Sequence, residues 1–112
     1  MVEIMAIIRP NKTAATKQAL IDIGYPGYTC IKAVGRGKKP VRLQLEDGTV
    51  LLSKLVIKRV FLIVVEEAAR EALIKAIMDV NYTGNPGDGK IFISRVCGSY
   101  NVHKQMESKV AI

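Results

Sequence analysis

The sequence predicts an α+β fold in which two helices cover one face of a four-stranded antiparallel sheet. Apolar, β-branched runs alternate with two segments of helical periodicity, and 112 residues suffice for one domain. The segments follow the order β-α-β, a long excursion, and β-α-β again. Two such halves with right-handed crossovers form the ferredoxin-like βαββαβ arrangement, so residues 1–112 are predicted to be a single domain.

The first half contains two predicted strands around a helix. An apolar run over residues 2–9 is predicted as the first strand, and residues 28–34 as the second, which breaks at the glycine- and lysine-rich residues 35–40. Asn11 is the expected N-cap of a helix over residues 12–23, and Gly24 suits its C′ position. The apolar positions of this helix are Ala15, Ala19, Leu20 and Ile23.

Residues 41–58 leave two interpretations open. Apolar and polar residues alternate from Val41 to Glu46, Asp47-Gly48 signals a turn, and residues 49–52 can return as a partner strand. The pattern therefore predicts a hairpin extension. A long mobile loop that alternates because it pairs with another protein is the second interpretation.

The second half repeats the strand and helix pattern. Residues 60–65 form the most apolar run and are predicted as a central strand buried on both faces. Glu66 and Glu67 open a helix, because acids suit the positive end of the helix dipole, and residues 91–97 form the last strand. The helix has its apolar stripe at Ala69, Leu73, Ala76, Ile77 and Val80. The second sheet face is left bare, which predicts burial against other subunits.

The glycine-rich segment from Thr83 to Lys90 is the most informative part of the chain. Three glycines and a proline indicate a loop that can bring backbone N–H groups close to an anion, and Lys90 supplies a positive charge. Gly84, Gly89 and Lys90 match most of a Walker phosphate loop, but Ile91 stands where Ser or Thr would hold magnesium. A phosphate-binding loop and a plain turn before a strand are both consistent with this segment.

Composition limits the functional classes. The net charge of +7 comes from basic residues that are spread out, with a concentration at residues 36–42, and aromatic residues for stacking bases are few, so nucleic acid is not the predicted partner. A nucleotide, an acidic metabolite or an acidic protein surface explains the charge equally well, and a nucleic-acid binder is kept as a third interpretation. Cys30 and Cys97 fit no metal-site spacing. No apolar run approaches a membrane span and no signal peptide is recognised, which predicts a cytoplasmic protein without membrane insertion.

Three segments together resemble the PII signal-transduction family. Residues 83–93, TGNPGDGKIFI, are similar to its T-G-x-x-G-D-G-K-I-F-V signature, and the AIIRP run at residues 6–10, with Lys12, is similar to its first strand. Residues 35–38, GRGK, fall where its long protruding loop begins. The similarity covers roughly residues 1–97. Within the family, residues 36–39 and 80–86 are most similar to the regulators encoded beside nitrogenase.

This resemblance implies a trimer that binds ATP or ADP between subunits and docks on targets through the loop at about residues 38–54. It implies target contacts at Arg42, Glu46, Thr49 and Leu51, and an effector site, for 2-oxoglutarate held with Mg²⁺, at Lys39 and Lys58. It implies that the base of the nucleotide lies near Ile7, Thr29 and Val64. The alternative for these three residues is that they only pack in the protein core. The implied nucleotide-binding residues are Ile7, Thr29, Gly35, Gly37, Lys38, Val64, Gly87, Asp88, Gly89, Lys90, Asn101 and His103.

The chain departs from the family pattern at three places. Leu51 replaces the tyrosine that is uridylylated in relatives, and Thr49 lies where some relatives carry a phosphorylated serine. Lys39 replaces the glutamine that holds magnesium, which leaves Mg²⁺ and 2-oxoglutarate binding open. In the divergent segment 98–112, Asn101 and His103 replace two arginines, with Lys104 as a partial substitute.

The sequence thus predicts a regulatory binding protein and not an enzyme, with no catalytic or metal-binding residues. Nitrogenase is the first candidate target, and the assembly is a homotrimer or a mixed assembly with a paralogue. An ammonium transporter or a nitrogen-assimilation enzyme is the alternative target. A small nucleotide-hydrolysing enzyme, in which Asp88 orients a water, is the rival from another class.

Overall fold

The computed structural model describes the backbone of residues 1–111 and the side chains of all of these except residues 38–41, 43 and 51–54. Its four-stranded antiparallel sheet has the strand order β2-β3-β1-β4, and a separate two-stranded sheet pairs β5 with β6. The elements are β1 (Val2–Ile8), α1 (Thr13–Asp22), β2 (Thr29–Gln44), β3 (Val50–Val65), α2 (Arg70–Asn81), β4 (Gly89–Arg95), β5 (Ser99–Asn101) and β6 (Met106–Ser108). The predicted ferredoxin-like fold is confirmed.

The core lies between the helices and one face of the sheet. Buried and half-buried residues alternate strictly along β1, as expected for a strand with one face on a core. Each large apolar side chain buried there contributes about 2 kcal/mol to stability. The fully buried large apolar residues are Ile4, Ile8, Leu20, Phe61, Ile63, Leu73 and Ile77.

The opposite face of the sheet, here called the open face, is apolar and lacks a covering layer within the described chain. Met5, Ile7, Leu62 and Val64 are half-buried there, and 48% of Phe92 is exposed. The prediction that residues 60–65 are buried on both faces is therefore wrong for the single chain. Strand β3 is central as predicted, but its burial alternates because helices cover one side alone.

The predicted strand break at residues 35–40 is also wrong. Strand β2 continues through it, because β3 begins at Val50 and supplies hydrogen-bonding partners on both sides of the glycines. A register shift between Arg36 and Val41 places residues 37–40 outside the regular pairing. Of the two interpretations of residues 41–58, the hairpin is correct, and Gly48 adopts φ 87° in its turn. The chain consequently extends over 56 Å in its longest dimension.

The start of α1 differs from the prediction at two positions. Asn11 lies in a 3₁₀ turn over residues 10–12, and the helix is preceded by Lys12, which makes no side-chain cap hydrogen bond. Ala15 is exposed, and the core position belongs to Thr16, whose hydroxyl donates to the Lys12 carbonyl at 2.8 Å. This bond lets a polar residue be buried, which apolar periodicity does not predict.

The last part of the chain also differs from the prediction. The last strand of the main sheet covers Gly89–Arg95 and not residues 91–97, because β1 pairs with it from Ile8↔Gly89 to Val2↔Arg95. The hairpin of β5 and β6 was not predicted. Gly24 adopts φ 84°, as its predicted C′ position requires.

Candidate functional site

The glycine loop, residues 83–89, is organised around the carboxylate of Asp88. Its Oδ2 accepts hydrogen bonds from the backbone N–H groups of Thr83 at 2.7 Å and Gly84 at 3.2 Å. The Thr83 hydroxyl donates to Oδ1 of the same carboxylate. The carboxylate therefore closes the loop on itself.

Arg9, the first residue after β1, attaches the glycine loop to the sheet. Its guanidinium forms an ion pair with Asp88 at 3.1 Å and donates to the Thr83 hydroxyl at 3.3 Å and to the Pro86 carbonyl at 2.8 Å. Arg9 and Asp88 keep 29% and 21% of their side chains exposed. Partial shielding from water strengthens such a charge-assisted pair relative to a fully exposed one.

Two glycines of the loop have conformations that other residues tolerate poorly. Gly87 adopts φ 93°, and a Cβ there would lie 3.3 Å from a guanidinium nitrogen of Arg9. Gly89 adopts φ 138°, and a Cβ there would lie 2.3 Å from the carbonyl oxygen of Ile7. The glycine pattern thus reflects close approach of the loop to β1.

Electrostatics leave the site positive. Hydrogen bonds from the Thr83 hydroxyl and the Thr83 N–H are the main causes that hold the pKa of Asp88 below its usual range, and Arg9 adds to the effect. Partial burial lowers the pKa of Lys58, and the nearby Arg9 lowers it further. Since the guanidinium of Arg9 balances Asp88, Lys58 and Lys90 supply net positive charge.

Lys58 connects the glycine loop to the base of the long hairpin. Its ammonium donates to the Gly87 carbonyl at 2.9 Å. Lys58 lies on β3 and pairs with Ala33 of β2. The next residue pair on the same face of the sheet is Gly35↔Val56. The two glycine-containing segments of the sequence therefore meet at this lysine.

Five predicted site residues on the main sheet, Ile7, Thr29, Gly35, Val64 and Lys90, share the open face. Lys90 pairs with Ile7 across β1 and β4, and its ammonium lies 5.5 Å from the Phe92 ring centre. Ile7 and Val64 are half-buried on this face and Thr29 is exposed, so none of the three belongs to the core between the helices and the sheet. Strand alternation places Lys58 on that face too.

Several predicted residues lie elsewhere. Asn101 and His103 belong to the C-terminal hairpin, where the Asn101 side-chain oxygen accepts from the Lys104 N–H at 2.9 Å. In the part of the chain with described side chains, no hydrogen bond or ion pair joins them to the glycine loop. Gly37 lies at the register shift of β2, and the side chains of Lys38 and Lys39 are outside the described set.

The predicted target-contact residues lie on the long hairpin. Arg42, Glu46 and Thr49 are exposed, and the side chain of Leu51 is outside the described set. The Thr49 N–H donates to Asp47 at 2.8 Å, which helps to hold the turn at the hairpin's end. The hairpin therefore presents these polar side chains to solvent, away from the core.

The described part of the chain, residues 1–111, contains no cluster of three His, Cys, Asp or Glu side chains suited to hold a metal ion. It also contains no helix long and apolar enough to cross a membrane. Cys30 is half-buried and Cys97 exposed, both as free thiols.

Sequence reasoning missed the role of Arg9 and Thr83. Arg9 lies in the AIIRP run and Thr83 begins the glycine-rich segment, but 74 positions separate them along the chain. No local pattern pairs a strand-terminal arginine with a distant threonine and aspartate. The signal available was charge: Asp88 is an acid within a loop proposed to bind anions, and an acid there needs a cationic partner.

The substitution Asp88→Asn is expected to loosen the glycine loop at neutral pH, because the amide presents two donors toward groups that already donate. The carboxylate has a lowered folded-state pKa, so its stabilisation is complete above its ordinary pKa of about 4 and is lost as pH falls through the folded value. Thermal unfolding should therefore show a variant deficit at neutral pH that shrinks below about pH 4.

A control for this prediction is Asp79→Asn, which removes an exposed carboxylate that pairs with Lys75 at 2.8 Å on α2. Exposed helix pairs of this kind contribute little, so its melting temperature should stay close to that of the parent protein. A deficit for Asp88→Asn that is constant from neutral to acidic pH would contradict the prediction.

Fold and site together define a class: a ferredoxin-like α+β protein with a glycine loop clamped by Arg9, two lysines beside that loop, and a long protruding hairpin. The chain belongs to the family described as "Nitrogen regulatory protein P-II", whose profile matches residues 1–106. Proteins of this family are signalling and regulatory proteins. The resemblance predicted from the glycine-loop motif is therefore confirmed.

Curated relatives support the nitrogen-fixation branch of this family. The chain is 41% identical over 104 residues, 93% of its length and 95% of the relative's, to "Nitrogen fixation nifHD region GlnB-like protein 1" of Methanothermobacter marburgensis. It is 34% identical to protein 2 of that region in the same organism, covering 86% and 87% of the two chains. It is 36% identical to "Nitrogen regulatory protein GlnK2" of Haloferax mediterranei, covering 97% and 89%.

Proposed function

We propose that this protein is a nitrogen-regulatory signal protein that binds ATP or ADP between subunits and controls a target through the hairpin at residues 38–54. One observation carries the proposal: the acid in the glycine loop is neutralised by Arg9, so Lys58 and Lys90 remain as cations on one face. A polyphosphate suits such a site because charge-assisted hydrogen bonds to phosphate are strong.

The nucleotide would use both glycine-containing segments. Gly87 and Gly89 let the backbone approach the phosphates, with Lys90 beside them, and Gly35, Gly37 and Lys38 form the second wall. Ile7, Thr29 and Val64 supply an apolar surface for the base. Asn101 and His103 would reach the phosphates from a neighbouring subunit, since the C-terminal hairpin is a separate small sheet in the single chain.

Lys58 supplies a physical route from ligand to hairpin. Its ammonium bonds to Gly87 in the glycine loop, while its backbone belongs to β3, which runs into the hairpin. An anionic ligand that takes this ammonium from Gly87 would change the contacts at the hairpin base. A carboxylate effector such as 2-oxoglutarate, bound by Lys58 and Lys39, would act at the same point with or without Mg²⁺.

Nitrogenase is the proposed target because two relatives carry names that assign them to nifHD regions. The alternative is control of an ammonium transporter or a nitrogen-assimilation enzyme, which the broader name of the Haloferax relative also suits. Nucleotide hydrolysis has less support, because the Asp88 carboxylate is already bonded within the loop and to Arg9. A cytoplasmic location is part of this proposal.

Calorimetric titration with ATP, ADP and 2-oxoglutarate tests the nucleotide part of the proposal. The same ligands are then tested for their effect on binding to nitrogenase component proteins. We expect saturable ATP and ADP binding and a nucleotide-dependent change in target affinity. Absence of any nucleotide binding would overturn the proposal, and ATP turnover that Lys90→Ala removes would favour the enzyme alternative.

The open face is the proposed contact between subunits of a trimer. Replacing Phe92 by lysine would place a charge beside Lys90 in an apolar surface, and burying an unpaired charge costs several kcal/mol. We expect native mass spectrometry to show the 12.3 kDa single chain in place of the assembly. Mixed assembly with a paralogue is the second arrangement, consistent with relatives numbered 1 and 2 in one organism.

Ile21→Lys is the control for this assembly experiment, because Ile21 is 53% exposed on α1, on the other side of the sheet. It should leave the assembly unchanged. If Phe92→Lys also assembles like the parent protein, the open face is not the subunit contact.

A further inference from the structure

The helix-side surface of β2 and β3 carries a second cationic area, beyond the end of the helices. Lys32 lies opposite Arg59 across the two strands, and Val34 lies opposite Ile57 in the next pair on that face. Arg36 follows on the same face of β2. We call these five residues the basic strip. They alternate with Lys58 and Gly35, which belong to the open face.

The fold does not account for the basic strip. Like charges directly opposite each other on neighbouring strands destabilise a sheet, and Lys32 and Arg59 are such a pair. A lysine on the edge strand β2 protects against strand pairing, but Arg59 lies on the interior strand β3, where no edge needs protection. Among the side chains that the structure describes, the three cations of the strip form no ion pair.

The apolar centre of the strip is equally unexplained by the core. Val34 is 66% exposed and Ile57 is 63% exposed, although both belong to long strands of the main sheet. Two β-branched side chains facing each other in solvent, with cations on either side, form an apolar contact point framed by positive charge. Exposed apolar groups with a polar rim are typical of protein interaction sites.

We propose that the basic strip docks an acidic protein surface, with carboxylates paired to Lys32, Arg36 and Arg59 and an apolar side chain on Val34 and Ile57. A second copy of this chain is disfavoured, because it would bring two cationic strips together. A nucleic acid is disfavoured because the strip contains no aromatic side chain on which its bases could stack. The strip lies on the opposite side of the sheet from Lys58 and Lys90.

The test uses a fluorescein-labelled peptide of alternating glutamate and leucine residues and measures its anisotropy with the full-length protein. We expect saturable binding that weakens as salt is raised. Lys32→Glu should weaken binding by at least about tenfold, because it places a like charge against the peptide. Lys32→Arg should keep the affinity. Lys109→Glu, the same charge change at an exposed lysine outside the strip, should change it little.

Weaker peptide binding by Lys32→Glu would not be explained by a loss of folding. Lys32→Glu converts a like-charge cross-strand pair with Arg59 into an opposite-charge pair, so its melting temperature should rise. The proposal is overturned if the parent protein does not bind the peptide, or if Lys32→Glu and Lys109→Glu bind it equally. Tighter, Lys32-dependent binding of duplex RNA or of phosphatidylglycerol vesicles would also overturn it.

Discussion

Gly89→Ala is expected to destabilise the protein by about 3 kcal/mol and to remove nucleotide binding. Gly89 has φ 138°, and the added Cβ would lie 2.3 Å from the carbonyl oxygen of Ile7, closer than real Cβ contacts occur. The Ile7 oxygen is backbone in a central strand, so it cannot move away as a flexible side chain can. Strands β1 and β4 must therefore separate where Ile8 pairs with Gly89.

Chemical denaturation measures this loss, and two other glycines provide matched controls. Gly98→Ala meets no atom within 4 Å and has no positive φ, so it should be nearly neutral. Gly84→Ala has φ 85° with ordinary van der Waals contacts and should cost about 1 kcal/mol through backbone strain alone. Equal stability of the Gly84 and Gly89 variants would show that the close approach to Ile7 is not the cause.

Lys90→Ala is expected to abolish ATP binding, with affinity reduced by at least about a hundredfold. Lys90 is exposed, and the contact that the structure shows for its ammonium is with the Phe92 ring at 5.5 Å. Its removal should therefore leave the melting temperature within about a degree of the parent protein's. Loss of binding without loss of stability is the signature of a phosphate ligand.

His103→Ala is the comparison variant in the same calorimetric titration. His103 lies in the exposed C-terminal hairpin and replaces an arginine of the family, so its removal should lower ATP affinity only modestly. Lys109→Ala controls for a general loss of positive charge. Unchanged ATP binding by Lys90→Ala would contradict the nucleotide site, and equal losses for Lys90→Ala and Lys109→Ala would indicate a nonspecific charge effect.

Local pattern predicted the order of the four main-sheet strands and the two helices but not their limits. The continuous apolar run of residues 60–65 identified β3, yet the strand begins ten residues earlier, at Val50. The longer β3 depends on pairing with β2. Gly35 and Gly37 of β2 predicted a strand break from local sequence alone. Hydrogen bonding between strands outweighs local glycine preference, because each strand supplies the other's partners.

The candidate site was also predictable only in part. The glycine loop was recognisable because φ and close approach restrict single positions to glycine, and those restrictions are written in consecutive residues. Arg9 was not recognisable as its clamp. Its partners Thr83 and Asp88 come into reach when β1 pairs with β4, which brings the strand end beside the loop.

By itself, the sequence determined the fold class, the family and the presence of a glycine loop followed by a lysine, because periodicity and glycine placement are local properties. Tertiary structure alone decided that Arg9 neutralises Asp88, that Lys58 links the glycine loop to the hairpin base, and that Lys32 faces Arg59. These are contacts between residues far apart in the chain. Strand register creates them, and register is set by the packing of the whole sheet.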